Sequence, residues 1–138
     1  MKLVATILTT VGSAISIGFG IWHFFVPKIW NWYSYIDKSA TELVVAVRAV
    51  NVFFSLALVL LGIVNLIFVY REPRDQFSLA TMLSVSVVLW GTRSVLQVIY
   101  PQGSQNAALQ YGMLGTFLFA LACFAVSLFI LVSQKNMA

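Results

Sequence analysis

Polar residues interrupt this chain so rarely that its apolar positions merge into four long runs, over about residues 3–26, 41–70, 77–100 and 107–133. Each run exceeds the roughly 20 residues that a helix needs to cross a ~30 Å hydrocarbon core. A membrane β-barrel would instead alternate apolar and polar positions in strands of about ten residues. The pattern therefore predicts an all-α fold: an integral membrane, up-down four-helix bundle, with residues 1–138 forming a single transmembrane domain. The breakers sit where turns are needed. Pro27 ends the first run, Arg71-Glu72-Pro73-Arg74-Asp75 is a charged turn, and Pro101-Gln102-Gly103 stops the third run.

The first run opens like a signal peptide, with Lys2 ahead of an apolar stretch and Gly12-Ser13-Ala14 in the position of a cleavage site. It continues well past that point through Phe19, Trp22 and Phe25, so it reads as an uncleaved first helix. The stretch after Pro27 carries Trp30, Trp32, Tyr33 and Tyr35. Trp and Tyr settle at headgroup level, so a short interfacial helix is expected there, as an aromatic anchor for the bundle. The second run, as a helix, would be about 45 Å long and must tilt or project from the core. Small residues recur every fourth position, as Gly12, Ser16 and Gly20 in the first run and Ala108, Gly112, Thr116 and Ala120 in the fourth. These stripes are read as close packing between helices of one chain rather than as a dimer seam.

Composition agrees with a lipid-facing exterior. Only 9% of the residues are charged and the mean hydropathy is +0.95, against roughly 25% charged in a soluble domain. The formal charge is +4, but the eight Lys and Arg are scattered, which leaves nucleic-acid binding without a basic patch. Their distribution instead bears on topology. Lys2, Arg71, Arg74 and Lys135 fall on one side and Lys28 and Lys38 on the other, which favours both termini in the cytoplasm. Cys123 is the only cysteine, so an intrachain disulfide and a CxxC redox pair are excluded. One histidine and four acidic residues are too few for a haem pair or a di-iron carboxylate centre, and no metal site is expected.

Chemistry concentrates where polar residues enter the apolar runs. Arg48 and Arg93 lie inside the second and third, and an arginine in a membrane span costs about 2.5–3.5 kcal/mol on insertion scales, so each needs a reason. In an up-down bundle four helices bring polar groups to the same, outer half: His23 from the first, Arg48 and Asn51 from the second, Arg93 and Gln97 from the third, and Gln110 and Tyr111 from the fourth. Arg48, Asn51 and Ser55 share one face, as do Trp90, Arg93 and Gln97. With both faces inward, the two guanidinium groups would share a cavity lined by amides and aromatics. That cavity would need an anion, from Asp37 and Glu42 or from a ligand. The inner half offers mainly Asn65, Ser84, Ser86 and Ser127.

The stretch Gly20-Ile21-Trp22-His23-Phe24-Phe25-Val26-Pro27 resembles the Gly-x-x-His-Phe-x-x-Pro segment of small DoxX-like membrane proteins. Gly20, His23 and Pro27 carry the likeness, which covers about the first half of the chain. The resemblance implies a compact four-helix bundle and, for some members, association with quinone-linked respiratory oxidoreductases; other relatives look like assembly or trafficking factors. Arg48 and Asn51 stand in a stretch where many relatives have a small residue and a glutamate.

These features point to a membrane protein that binds an amphiphilic or anionic ligand, lipid or quinone-like, in an outer-leaflet polar pocket. The expected site is His23, Arg48, Asn51, Trp90, Arg93, Gln97, Gln110 and Tyr111, in an accessory or assembly subunit of a larger membrane complex or a homo-oligomer. Two other readings remain open. One is a small membrane enzyme using His23 as a base with Arg48 and Arg93 stabilising an anion. The other is an oligomeric transporter or channel, whose polar path would have to continue past Asn65.

Overall fold

The computed structural model of the chain describes residues 2–103 and 106–135. Helix α1 covers Lys2–His23, α2 Val26–Ile29, α3 Thr41–Tyr70, α4 Gln76–Ile99 and α5 Ala107–Lys135, with a 3-10 turn at Trp32–Tyr35. There is no strand among the described residues. The long helices α1, α3, α4 and α5 are each long and apolar enough to cross a membrane, the build of an integral membrane protein. The side chains of Lys2 and Lys135, two of the charges weighed for orientation, lie outside the described residues.

The four long helices form a ring in chain order. Helix α1 packs between α3 and α5, and α4 packs on α5; α3 and α4 touch each other least. The inward faces follow from spacing. On α3 the buried positions are Asn51, Ser55, Leu58, Gly62, Asn65 and Val69; on α4 they are Leu79, Leu83, Ser86, Trp90, Ser94 and Gln97. Both series advance by steps of three and four, the spacing that keeps one side of a helix facing its neighbours. Trp90, Phe117, Phe124, Leu58 and Leu83 fill the axis of the bundle.

Glycine sets the closest approach, between α1 and α3. A Cβ on Gly62 would lie 2.6 Å from Ile17 Cγ1 and 2.8 Å from the Ser13 carbonyl oxygen. A Cβ on Gly20 would lie 2.8 Å from the Ser55 carbonyl oxygen. The first-run stripe therefore packs as expected. The α5 stripe does not: of its four members only Ala120 is buried, and a Cβ on Gly112 would meet nothing within 4 Å. The inward seam of α5 runs instead through Phe117, Ala120, Phe124, Ser127 and Leu131, one row to the side.

Polar side chains tie the apolar helices together. Asn65 Nδ2 donates to Ser86 Oγ at 2.8 Å, Trp90 Nε1 to Ser16 Oγ at 3.0 Å, and Ser127 Oγ to the Ala5 carbonyl at 3.2 Å. At the charged turn, Arg74 Nη2 donates to the Val69 carbonyl at 2.7 Å and to Thr6 Oγ1 at 3.3 Å, bonding the turn to the ends of α3 and α1. Asp75 caps α4 by accepting from the Phe77 and Ser78 amides and the Ser78 hydroxyl. Those hydrogen bonds, the Ser78 hydroxyl's first, hold the Asp75 carboxyl below the usual carboxylate range.

Pro27 does not act as a simple terminator. Helix α1 stops at His23, a turn follows, and Pro27 sits in the first turn of α2, where a missing N–H leaves no bond unmade. The expected interfacial helix is thus two short pieces, α2 and the 3-10 turn, joined through Asn31 in the left-handed region at φ 50°.

Candidate polar cavity at the His23 end

His23 is the last residue of α1 and is buried. Its backbone carbonyl accepts from Asn51 Nδ2 at 3.3 Å, which places Asn51 of α3 at the same level. Its ring packs edge-on against Phe54 at a centroid distance of 4.7 Å and lies 6.2 Å from Trp32 of the 3-10 turn. Nδ1 of His23 and Oδ1 of Asn51 are buried without a hydrogen-bond partner among the described residues.

Arg93 enters from α4. It is half-buried, with its guanidinium carbon 4.4 Å from the centroid of the Phe117 ring on α5. Nη2 donates to Gln102 Oε1 at 2.6 Å. Gln97, one turn further along α4, is buried and donates to the Gln102 carbonyl at 2.9 Å, while its own Oε1 has no partner among the described residues. The connection after Pro101 is thereby drawn over the end of the bundle by two α4 side chains. Both described contacts of the Arg93 guanidinium are with neutral groups. Asp37, a counter-charge considered from sequence, accepts instead from the Ser39 amide and hydroxyl, bonds that keep its carboxyl below the usual range.

Two adjoining cavities result, with His23, Trp32 and Gln102 in their common wall. One, of about 530 Å³, lies under the aromatic segment and is lined by Trp22, Trp30, Tyr35, Leu109 and Met113 as well. The other, of about 630 Å³, opens sideways between α3 and α4 and adds Val47, Asn51, Phe54 and Arg93. The core beneath them is aromatic. Phe19, Trp90 and Phe117 are in mutual ring contact, with centroids 5.1–5.9 Å apart, and Phe19 touches His23 at 5.8 Å.

Of the residues singled out from sequence, His23, Asn51 and Arg93 line the sideways cavity. Gln97 supports it by holding Gln102, and Trp90 lies in the core beneath with no exposed surface. Arg48 departs from the expected inward pair. It is exposed, with its guanidinium 5.5 Å from the centroid of Tyr33, and the two arginines do not share a cavity. The reason is the end of α1: Asn51 is level with His23, so Arg48, nearly a turn earlier on α3, is already beyond α1 and beside the interfacial aromatics. Gln110 and Tyr111 also lie off the cavity, since α5 presents Leu109 and Met113 to it. Sequence reasoning missed Gln102 as an Arg93 partner and treated Trp22, Trp30 and Trp32 as anchors rather than walls. No family model, curated protein sequence or solved structure matches this chain.

Proposed function

We propose that this membrane protein holds the polar head of an amphiphile in the cavity at the His23 end, in the outer leaflet, with both termini in the cytoplasm. The observation that carries the reading is Arg93. An arginine inside a membrane span is kept there with only neutral described contacts, in the wall of a cavity that His23 and Asn51 also line. An anion or a carbonyl oxygen would accept from the N–H groups of Arg93. The aromatic walls suit the glycerol and upper-chain region of a lipid or the ring of a quinone.

A pore through a single copy is disfavoured, because the axis beneath the cavity is closed by Trp90, Phe117, Leu58 and Phe124. The chain serves on this reading as an accessory or assembly subunit of a larger membrane complex or of a homo-oligomer. The relation to small DoxX-like proteins belongs to the same proposal, and its three residues each have a local role: Gly20 admits the α3 backbone, His23 lines the cavity, and Pro27 sits in the first turn of α2.

The test uses the tryptophans in the cavity wall. Dodecyl phosphate, titrated into the protein in a neutral maltoside detergent, will change tryptophan emission saturably in the wild type and not in Arg93→Leu. An equal response in both proteins would remove Arg93, and with it this reading.

A further inference from the structure

Building on that site, we infer that its occupant is an anionic phospholipid of the surrounding bilayer, which enters sideways between α3 and α4, sets its phosphate against Arg93 and lays one tail along the groove that continues down the flank of α4. The seam is the least packed in the ring. The sideways cavity runs on, through Phe54, Arg93 and Leu96, into a groove of about 610 Å³ that extends along α4 to Thr81. From Arg93 to Thr81 the helix rises about 18 Å. The groove occupies the middle of α4, from Leu96 to Thr81 of Gln76–Ile99, so a tail lying in it reaches past the bilayer midplane.

Its surface is suited to a hydrocarbon tail. Val85, Val88 and Leu89 line it, and two of its three hydroxyls are committed: Thr81 donates to the Phe77 carbonyl and Ser84 to the Ala80 carbonyl, while Thr92 lies at the Arg93 end. The other end is suited to a phosphate. A guanidinium has five N–H donors, and the one described hydrogen bond of Arg93 uses a single one of its nitrogens, leaving the fork free for bidentate contact. A fatty carboxylate would need only that contact. The further cavity of about 530 Å³ beneath Trp30 and Tyr35 gives a place for the headgroup that a phospholipid has and a fatty acid lacks.

Native mass spectrometry of the full chain in neutral micelles, titrated with defined lipids, separates the parts. Wild-type protein will retain dioleoyl phosphatidylglycerol about tenfold better than dioleoyl phosphatidylcholine or oleate. The double variant Val85→Trp, Val88→Trp fills the groove at two exposed positions, so it leaves the core unchanged, which far-ultraviolet circular dichroism verifies. It will lose about tenfold in affinity for the dioleoyl lipid and keep wild-type affinity for dihexanoyl phosphatidylglycerol, whose tails are too short to reach. Arg93→Leu will lose both. Undiminished dioleoyl binding by the tryptophan variant would overturn the tail placement and leave the head site standing. Equal retention of phosphatidylcholine, or stronger retention of oleate, would overturn the phospholipid assignment. Unchanged binding by Arg93→Leu would overturn the site itself.

Discussion

Replacing Arg93 by leucine separates a ligand-binding arginine from a structural one, because the energetic terms nearly cancel. The substitution removes a partly desolvated guanidinium–ring contact with Phe117, worth about 0.5–2 kcal/mol. It also removes a charge-assisted hydrogen bond to Gln102, worth about 1.5–3 kcal/mol. The loss is therefore about 2–5 kcal/mol. Against it stands the relief of taking a guanidinium out of a membrane span, about 2.5–3.5 kcal/mol at a helix centre and less toward its end. Gln102 is exposed, so its freed amide oxygen finds water. The net change is expected to lie between about −1.5 and +2.5 kcal/mol of destabilisation. Unfolding in mixed micelles by titration with dodecyl sulfate, followed by circular dichroism, measures it. A destabilisation beyond about 3 kcal/mol would mean that the Arg93 contacts hold the bundle together, and the argument for a ligand would lose its basis.

Other substitutions test the packing and the connections. Gly62→Val forces a Cβ against Ile17 and the Ser13 carbonyl and should cost about 1–3 kcal/mol in the same titration, whereas Gly112→Ala, with open space around it, should be neutral. Asn65→Leu breaks the hydrogen bond to Ser86 and should cost about 0.6 kcal/mol and at most about 1.7, the range for such bonds between membrane helices. The Asp75 carboxyl is held below its ordinary value, so its contribution to stability is complete above about pH 4 and is lost as pH falls through the lowered value. Acid titration of the melting temperature should show this loss in the wild type and a smaller one in Asp75→Asn. Arg48→Leu, altering an exposed contact with Tyr33, should leave amphiphile binding unchanged in the tryptophan-emission titration.

Much of the fold was legible because long apolar runs leave few alternatives. The boundaries of α3 and α4 follow from Thr41, the charged turn and Pro101, and the faces through Asn51 and Ser55 and through Trp90 and Gln97 follow from helical spacing. What spacing does not contain is where a neighbouring helix ends. Arg48 continues the face of Asn51, yet α1 has already stopped at His23, so the face has no partner there. Gln102 follows a proline in a connection, where no periodicity marks a contact with Arg93. Ser16 read as a small packing residue, although its hydroxyl receives the Trp90 indole; Thr9 and Ser13 are buried on the same helix and gave no separate signal. The α5 stripe misled for a related reason: small residues show that close approach is allowed, not that it occurs.

The most direct test is to isolate the protein from membranes in mild detergent and identify by native mass spectrometry what stays bound. The comparison is among wild type, Arg48→Leu and Arg93→Leu. The account predicts one anionic amphiphile retained by the wild type and by Arg48→Leu and absent from Arg93→Leu. A bare wild-type protein, or the same ligand on all three, would contradict it.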